Sequence, residues 1–191
     1  MLKNLKLGLA FAAVMTSGVA MAQQYDIDPT HTSVIVAWNH FGFSNPAAYF
    51  SDVTGTLNFD AKNPKKASVN VTIPVKTIDT KVQALNDEFV KDAEYFDVAK
   101  YPTATFKSNK VTPTGDNTFD VAGKLTIKGV TKDVVFKAKL NGQGEHPMTK
   151  KAAIGFDAST VIKRTEFNLG KFAPYVSDEV TITITTEAQA K

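Results

Sequence analysis

Val69, Val71, Ile73 and Val75 alternate with Ser68, Asn70, Thr72 and Pro74, and this two-residue rhythm returns along most of the chain. Val180, Ile182 and Ile184 alternate with Thr181, Thr183 and Thr185. Phe119, Val121, Leu125 and Ile127 share one parity, while Asp120, Lys124, Thr126 and Lys128 take the other. Successive side chains of a strand point to opposite faces, so each segment has one apolar and one polar side. Helical stretches are too few to cover such a sheet. The apolar faces must therefore meet one another, in a sandwich or a closed barrel, and a closed barrel can hold an apolar guest.

Eight strands are expected, near Val34–Trp38, Phe50–Phe59, Ala67–Val75, Ala104–Thr112, Thr118–Ile127, Lys132–Gln143, Lys150–Val161 and Glu179–Glu187. Asn63-Pro64, the run from Pro113 to Asn117, and Lys128-Gly129 supply the turns between them. Links this short favour antiparallel neighbours. One stretch breaks the rhythm. Between strands three and four, Thr80 is placed to cap a short helix over Val82 to Lys91, with Val82, Leu85, Phe89 and Val90 on one side. That insertion is expected either to lid an open barrel end or to plug it.

The loops are unusually aromatic. Phe41 and Phe43 follow the first strand, and Phe167, Phe172 and Tyr175 lie in the irregular run 164–178. Loops run over the surface, where apolar side chains need cover. A lipid, a membrane surface or a partner copy would provide it.

Lys3 and Lys6 precede an apolar run, Leu7 to Val19, and Ala20-Met21-Ala22 has small residues at the cleavage spacing. Residues 1–22 read as a secretory signal peptide, which leaves 23–191 as a single exported domain. The net charge of +3 includes those two lysines, so the remainder is close to neutral and lacks the electrostatic footprint of a nucleic-acid binder. There are no cysteines. Disulfides, thiol catalysis and thiolate metal sites are thereby excluded.

No catalytic constellation emerges, and no cofactor or metal is expected. His31, His40 and His146 lack the spacing that brings imidazoles to one metal. The chain carries no nucleophile elbow, phosphate loop or HExxH. Asp87 and Glu88 are neighbours on a helix and diverge.

Several motifs resemble those of the YceI-like exported lipid-binding proteins. They are the run Asp28-Pro29-Thr30-His31-Thr32-Ser33, the run from His40 to Ser44, the run from Gly55 to Asp60, the run from Asp97 to Ser108, the run from Gly123 to Lys132, and Ser177-Asp178-Glu179-Val180. The resemblance implies a periplasmic, all-β, eight-stranded antiparallel lipocalin-like barrel with one short helical insertion between strands three and four. It also implies a polyisoprenoid guest, such as an isoprenoid quinone or a prenyl chain, pairing as homodimers, and no established catalytic activity. Where the family usually has Arg and His in its helical insertion, this chain has Asn86 and Phe89. A neutral quinone or plain hydrocarbon then suits the mouth better than a prenyl pyrophosphate.

Inward parity nominates Val36, Trp38, Val53, Leu57, Phe59, Val71, Ile73, Phe106, Val121, Leu125, Phe136, Phe156, Ile182 and Ile184 as tube lining. Gly55, Gly123 and Ala138 share that parity and are expected to leave room. His40, Phe41, Phe43, Phe89, Phe96 and Phe167 are the mouth and lid candidates. Three other readings compete with a carrier. They are an outer-membrane barrel with its apolar parity outward, a lipid-modifying enzyme using His40 or Asp87, and a stress-response or adhesion module binding a protein through its aromatic loops.

Overall fold

The computed structural model describes residues 22–191, so all of the expected leader except Ala22 lies outside the described residues. Ten strands form one antiparallel sheet: β1 (Gln23–Ile27), β2 (Ser33–His40), β3 (Ala47–Phe50), β4 (Thr54–Phe59), β5 (Ser68–Pro74), β6 (Thr103–Gly115), β7 (Thr118–Ile127), β8 (Val130–Glu145), β9 (Ala152–Lys163) and β10 (Val176–Ala190). They amount to eight staves. β1 and β2 are successive halves of one stave, because both pair with β10; β3 and β4 are halves of the next, pairing with β2 and β1 respectively. The meander from β4 to β10 runs between neighbours, and Ile27 opposite Ala188 closes the circle. A closed barrel leaves no free edge.

Two strand expectations change. Gln23–Ile27 was not expected, yet Tyr25 and Ile27 are buried at 1% and 9% exposure while Gln23 and Gln24 are exposed. The expected second strand is interrupted at Ser51–Val53, where Asp52 takes φ +55 and the chain turns a corner. The hairpin at Lys128-Gly129 forms as expected. Both residues have positive φ (+49 and +74), the requirement of a tight two-residue turn that follows strand twist. A Cβ on Gly129 would also meet the Tyr101 ring at 2.8 Å.

The helix α1 (Gln83–Lys91) lies in the expected insertion, but Thr80 does not cap it. Val82 holds the cap position without a side-chain bond, and its own side chain is exposed. Thr80 serves the preceding turn instead: its N–H and its hydroxyl lie 2.8 and 2.7 Å from Asn86 Oδ1. A nine-residue helix is marginal alone and owes its stability to tertiary contact, here through Phe89 and Val90 against the barrel core.

Outside the barrel, Lys124 pairs with Asp133 (2.9 Å) and Lys137 with Asp120 (2.8 Å) across neighbouring strands. Their polar parity faces out, whereas Phe106, Leu125, Phe136 and Ile182 are buried inside. The outer-membrane reading, which needs the reverse, is thereby corrected.

Candidate functional site: a barrel hollow at one end

The interior divides into two clusters. One gathers Tyr25, Ile27, Phe59, Val111, Phe119, Ile154 and Ala188, with Leu57, Val121, Ala138 and Phe156 against it. Phe59, Phe119 and Phe156 meet edge to face, with centroids 5.9, 5.6 and 6.3 Å apart. Interlocked rings of this kind leave no channel. This end is plugged.

The other end is hollow. A cavity of about 560 Å³ lies under α1, between β2, β3, β5, β6, β7, β8, β9 and β10. Ligand pockets commonly measure roughly 300–1,000 Å³. Val36, Trp38, Val71, Ile73, Phe106, Leu125, Phe136, Ile182 and Ile184 line it, as inward parity proposes. Leu85, Phe89 and Phe96 roof it, and Trp38 meets the Phe89 ring edge-on at 5.9 Å. His40 and Phe41 stand at the rim. Phe41 and Phe172 both line the cavity and are 49% and 56% exposed, so the cavity reaches the surface beside them.

Seven nominated residues lie elsewhere. Leu57, Phe59, Val121 and Phe156 belong to the plug. Val53, 1% exposed, packs into the core from the corner between β3 and β4, where strand parity no longer fixes direction. Phe167 is 1% exposed in the core rather than at the mouth, and Phe43 projects into solvent at 91%. The small residues also differ from expectation. A Cβ on Gly55 would lie 2.1 Å from the Asn70 carbonyl oxygen, and one on Gly123 would lie 2.5 Å from the Lys107 oxygen and 2.6 Å from the Phe106 ring. These glycines admit close backbone and ring approach and leave no empty space.

Polar groups that parity did not nominate complete the open end. Arg164, 8% exposed, begins the irregular run and lines the cavity. Its guanidinium donates to the carbonyl oxygens of Ser177 (2.8 Å), Lys171 (2.9 Å), Val176 (2.8 Å) and Leu169. Planar donors in a fixed fork suit this gathering of a loop, and burial pushes the guanidinium below its ordinary pKa without discharging it. Lys171, also on the lining, reaches across to the helical insertion: Nζ lies 2.5 Å from Asp92 and 3.2 Å from Glu88. Lys128 adds a second strap, donating to the carbonyl oxygens of Ala93 (2.7 Å) and Asn168 (2.8 Å).

The histidines are local fasteners or rim residues. His31 Nδ1 lies 2.9 Å from Asp28 in the turn between β1 and β2, and Thr30 donates to the same carboxylate through its N–H (2.8 Å) and hydroxyl (2.6 Å). His146 Nδ1 accepts from the N–H groups of Met148 and Thr149. Among the described residues no three His, Cys, Asp or Glu side chains gather into a metal site. Asp87, offered above as a proton donor, pairs with Gln83 and Lys91 and is not on the cavity lining.

A staved barrel open beneath a short helix, carrying these motifs in this order, has known counterparts. The profile of the YceI-like domain family matches residues 25–188. The chain belongs to the YceI-like family. Protein YceI of Salmonella agona is 43% identical over 190 residues, covering 98% of this chain and 97% of that protein. BcnA of Burkholderia cenocepacia superposes with a TM-score of 0.76 at 29% identity, over 84% of this chain and 98% of its own. A polyisoprenoid binding domain from Saccharophagus degradans shares the fold at 13% identity, with a TM-score of 0.65 over 90% of this chain and 99% of its own.

Proposed function

We propose that this YceI-like protein is an exported carrier that holds the tail of an isoprenoid lipid in the hollow half of its barrel. The observation that carries this reading is the 560 Å³ apolar cavity, plugged at one end and reaching the surface at the other. A cavity of about 150 Å³ accommodates benzene, so this one suits a chain of roughly twenty carbons. Each buried CH₂ contributes about 0.8 kcal/mol, giving more than about 10 kcal/mol gross before association and ordering costs. Tight binding therefore needs no catalytic or metal chemistry. The printed description of the Saccharophagus domain as polyisoprenoid binding supports the same class of guest.

The exposed aromatic rim fits this role. Phe41 and Phe172 stand at the mouth with Tyr175 beside Phe41, all three exposed, and amphipathic or apolar rings of this kind favour the membrane interface. In this reading the rim meets the bilayer that donates the lipid. A homodimer joined at the rim is the competing cover, and sedimentation of the empty protein separates the two.

The deciding experiment is mass spectrometry of lipid extracted from protein released by osmotic shock without detergent. An isoprenoid in near-stoichiometric amount supports the proposal. Protein that stays with the cytoplasm, or that carries no lipid and takes none up, overturns it.

A further inference from the structure

Among the described residues three basic side chains border the cavity: His40, Arg164 and Lys171. A phosphorylated lipid head would need at least one of them free. The donors of Arg164 are turned to four backbone carbonyl oxygens. Lys171 is held between two carboxylates, Asp92 at 2.5 Å and Glu88 at 3.2 Å, with Glu94 at 3.9 Å. Its ammonium also lies over the Tyr95 and Phe172 rings, 5.0 and 5.4 Å from their centroids. Only 17% of the side chain is exposed. His40 stands in water at the rim.

We propose, building on the carrier reading, that Glu88 and Asp92 make the mouth selective for lipids with an uncharged polar head. They do so by consuming the one mobile cation, Lys171, that a phosphate would otherwise recruit. Three carboxylates around one ammonium leave it no donor directed at a guest. Glu88 itself lines the cavity, so an anionic head would arrive beside a like charge. An alcohol or a quinone carbonyl carries no such penalty, and an alcohol can donate its own hydrogen to Glu88. The ordinary titration of the cluster agrees: Lys171 is held protonated by its hydrogen bond to Asp92, and that bond in turn pulls the Asp92 carboxyl below its usual range.

The test uses the single tryptophan, Trp38, which lies on the cavity wall and reports occupancy by its fluorescence. The intact protein is titrated with geranylgeraniol and with geranylgeranyl diphosphate, which share one tail and differ in the head. Wild type is expected to favour the alcohol by at least about tenfold in dissociation constant. The double variant Glu88→Gln/Asp92→Asn frees Lys171, and its preference is expected to shrink by about tenfold or to reverse. Lys171→Met leaves the carboxylates unpaired and is expected to reject the diphosphate further while still binding the alcohol. Equal binding of the two heads by wild type, or the same ratio in all three proteins, overturns the inference while leaving the carrier reading intact. No response of Trp38 to either compound in correctly folded wild type overturns both.

Discussion

The two ends of this barrel are built from the same alternation of apolar and polar residues, yet one is solid and the other hollow. At the solid end Phe59, Phe119 and Phe156 come from β4, β7 and β9 and meet as an edge-to-face triad. At the hollow end the staves carry rings too, Trp38, Phe106 and Phe136, but these stand along the wall, and further rings arch over the space. Phe89 and Phe96 come from the helical insertion, while the staves contribute Val36, Ile73, Leu125 and Ile184. The difference teaches that a cavity here depends on how the aromatic volume is arranged across the tube. Stave rings that meet as a triad fill the tube, whereas stave rings along the wall, roofed by rings from an insertion, leave it open.

The comparison breaks most visibly if truncation costs the same at both ends. Phe59→Ala removes a ring that is 4% exposed and locked between two others, and is expected to cost about 3–5 kcal/mol. Ile184→Ala removes a half-buried branch from the cavity wall, and is expected to cost about 1–2 kcal/mol. Urea unfolding at constant slope measures both. Equal losses would mean that the cavity wall is as closely packed as the plug.

The next effect concerns the loop that rims the hollow end. Arg164→Met strands up to four carbonyl oxygens around a buried site and is expected to cost about 2–4 kcal/mol. Arg164→Lys should recover little, because one ammonium cannot span a fork-shaped set of acceptors. Faster amide exchange confined to residues 164–178 would mark the loop as the part released. An unchanged melting temperature would show that the guanidinium does not organise it.

Filling the hollow acts on binding more than on folding. Val36→Trp places new volume in existing space, so the stability change is expected to stay within about 1 kcal/mol, below the usual cost of overpacking. Uptake of geranylgeraniol should fall at least about tenfold. Undiminished uptake would remove the tail from the cavity.

The same contrast explains how far the sequence could be read. Parity says which side chains face inward, and nine of the nominated tube residues do line the cavity. It carries no coordinate along the barrel axis. That level is set by the stagger between strands, so Phe59 and Phe106, alike in the sequence pattern, fall into the plug and the cavity wall respectively. The strand Gln23–Ile27 escaped notice because its alternation spans two inward residues, Tyr25 and Ile27, directly after the leader-like segment. Lys171 and Arg164 escaped because their importance comes from partners far along the chain or on the backbone, and neither relation has a period. The Asp28-Pro29-Thr30-His31 run was visible as a motif. Its role as the fastener of the turn between β1 and β2 became visible only with Asp28 bonded to both Thr30 and His31.

That turn gives the smallest effect and separates the two ends by pH. Asp28 follows Ile27 of the plug, and bonds from Thr30 first and His31 second hold its carboxyl at about 2 against an ordinary 3.8. A carboxyl lowered on folding adds stability that is fully present above about 3.8 and disappears as the pH falls toward about 2. With His31 largely in water, screening reduces the contribution to about 1 kcal/mol. Its partner behaves in the opposite sense: the bond to Asp28 raises the His31 pKa above 6.5, so its share is present below that value and fades as the pH rises through the raised one. Between pH 4 and pH 2 the wild type should therefore lose about 1 kcal/mol more than Asp28→Asn. Amide exchange should report the loss in β1, at the plug, with no matching change in α1. A loss of equal size in α1 would mean that the two ends unfold as one unit, and that the solid half does not anchor the hollow half independently.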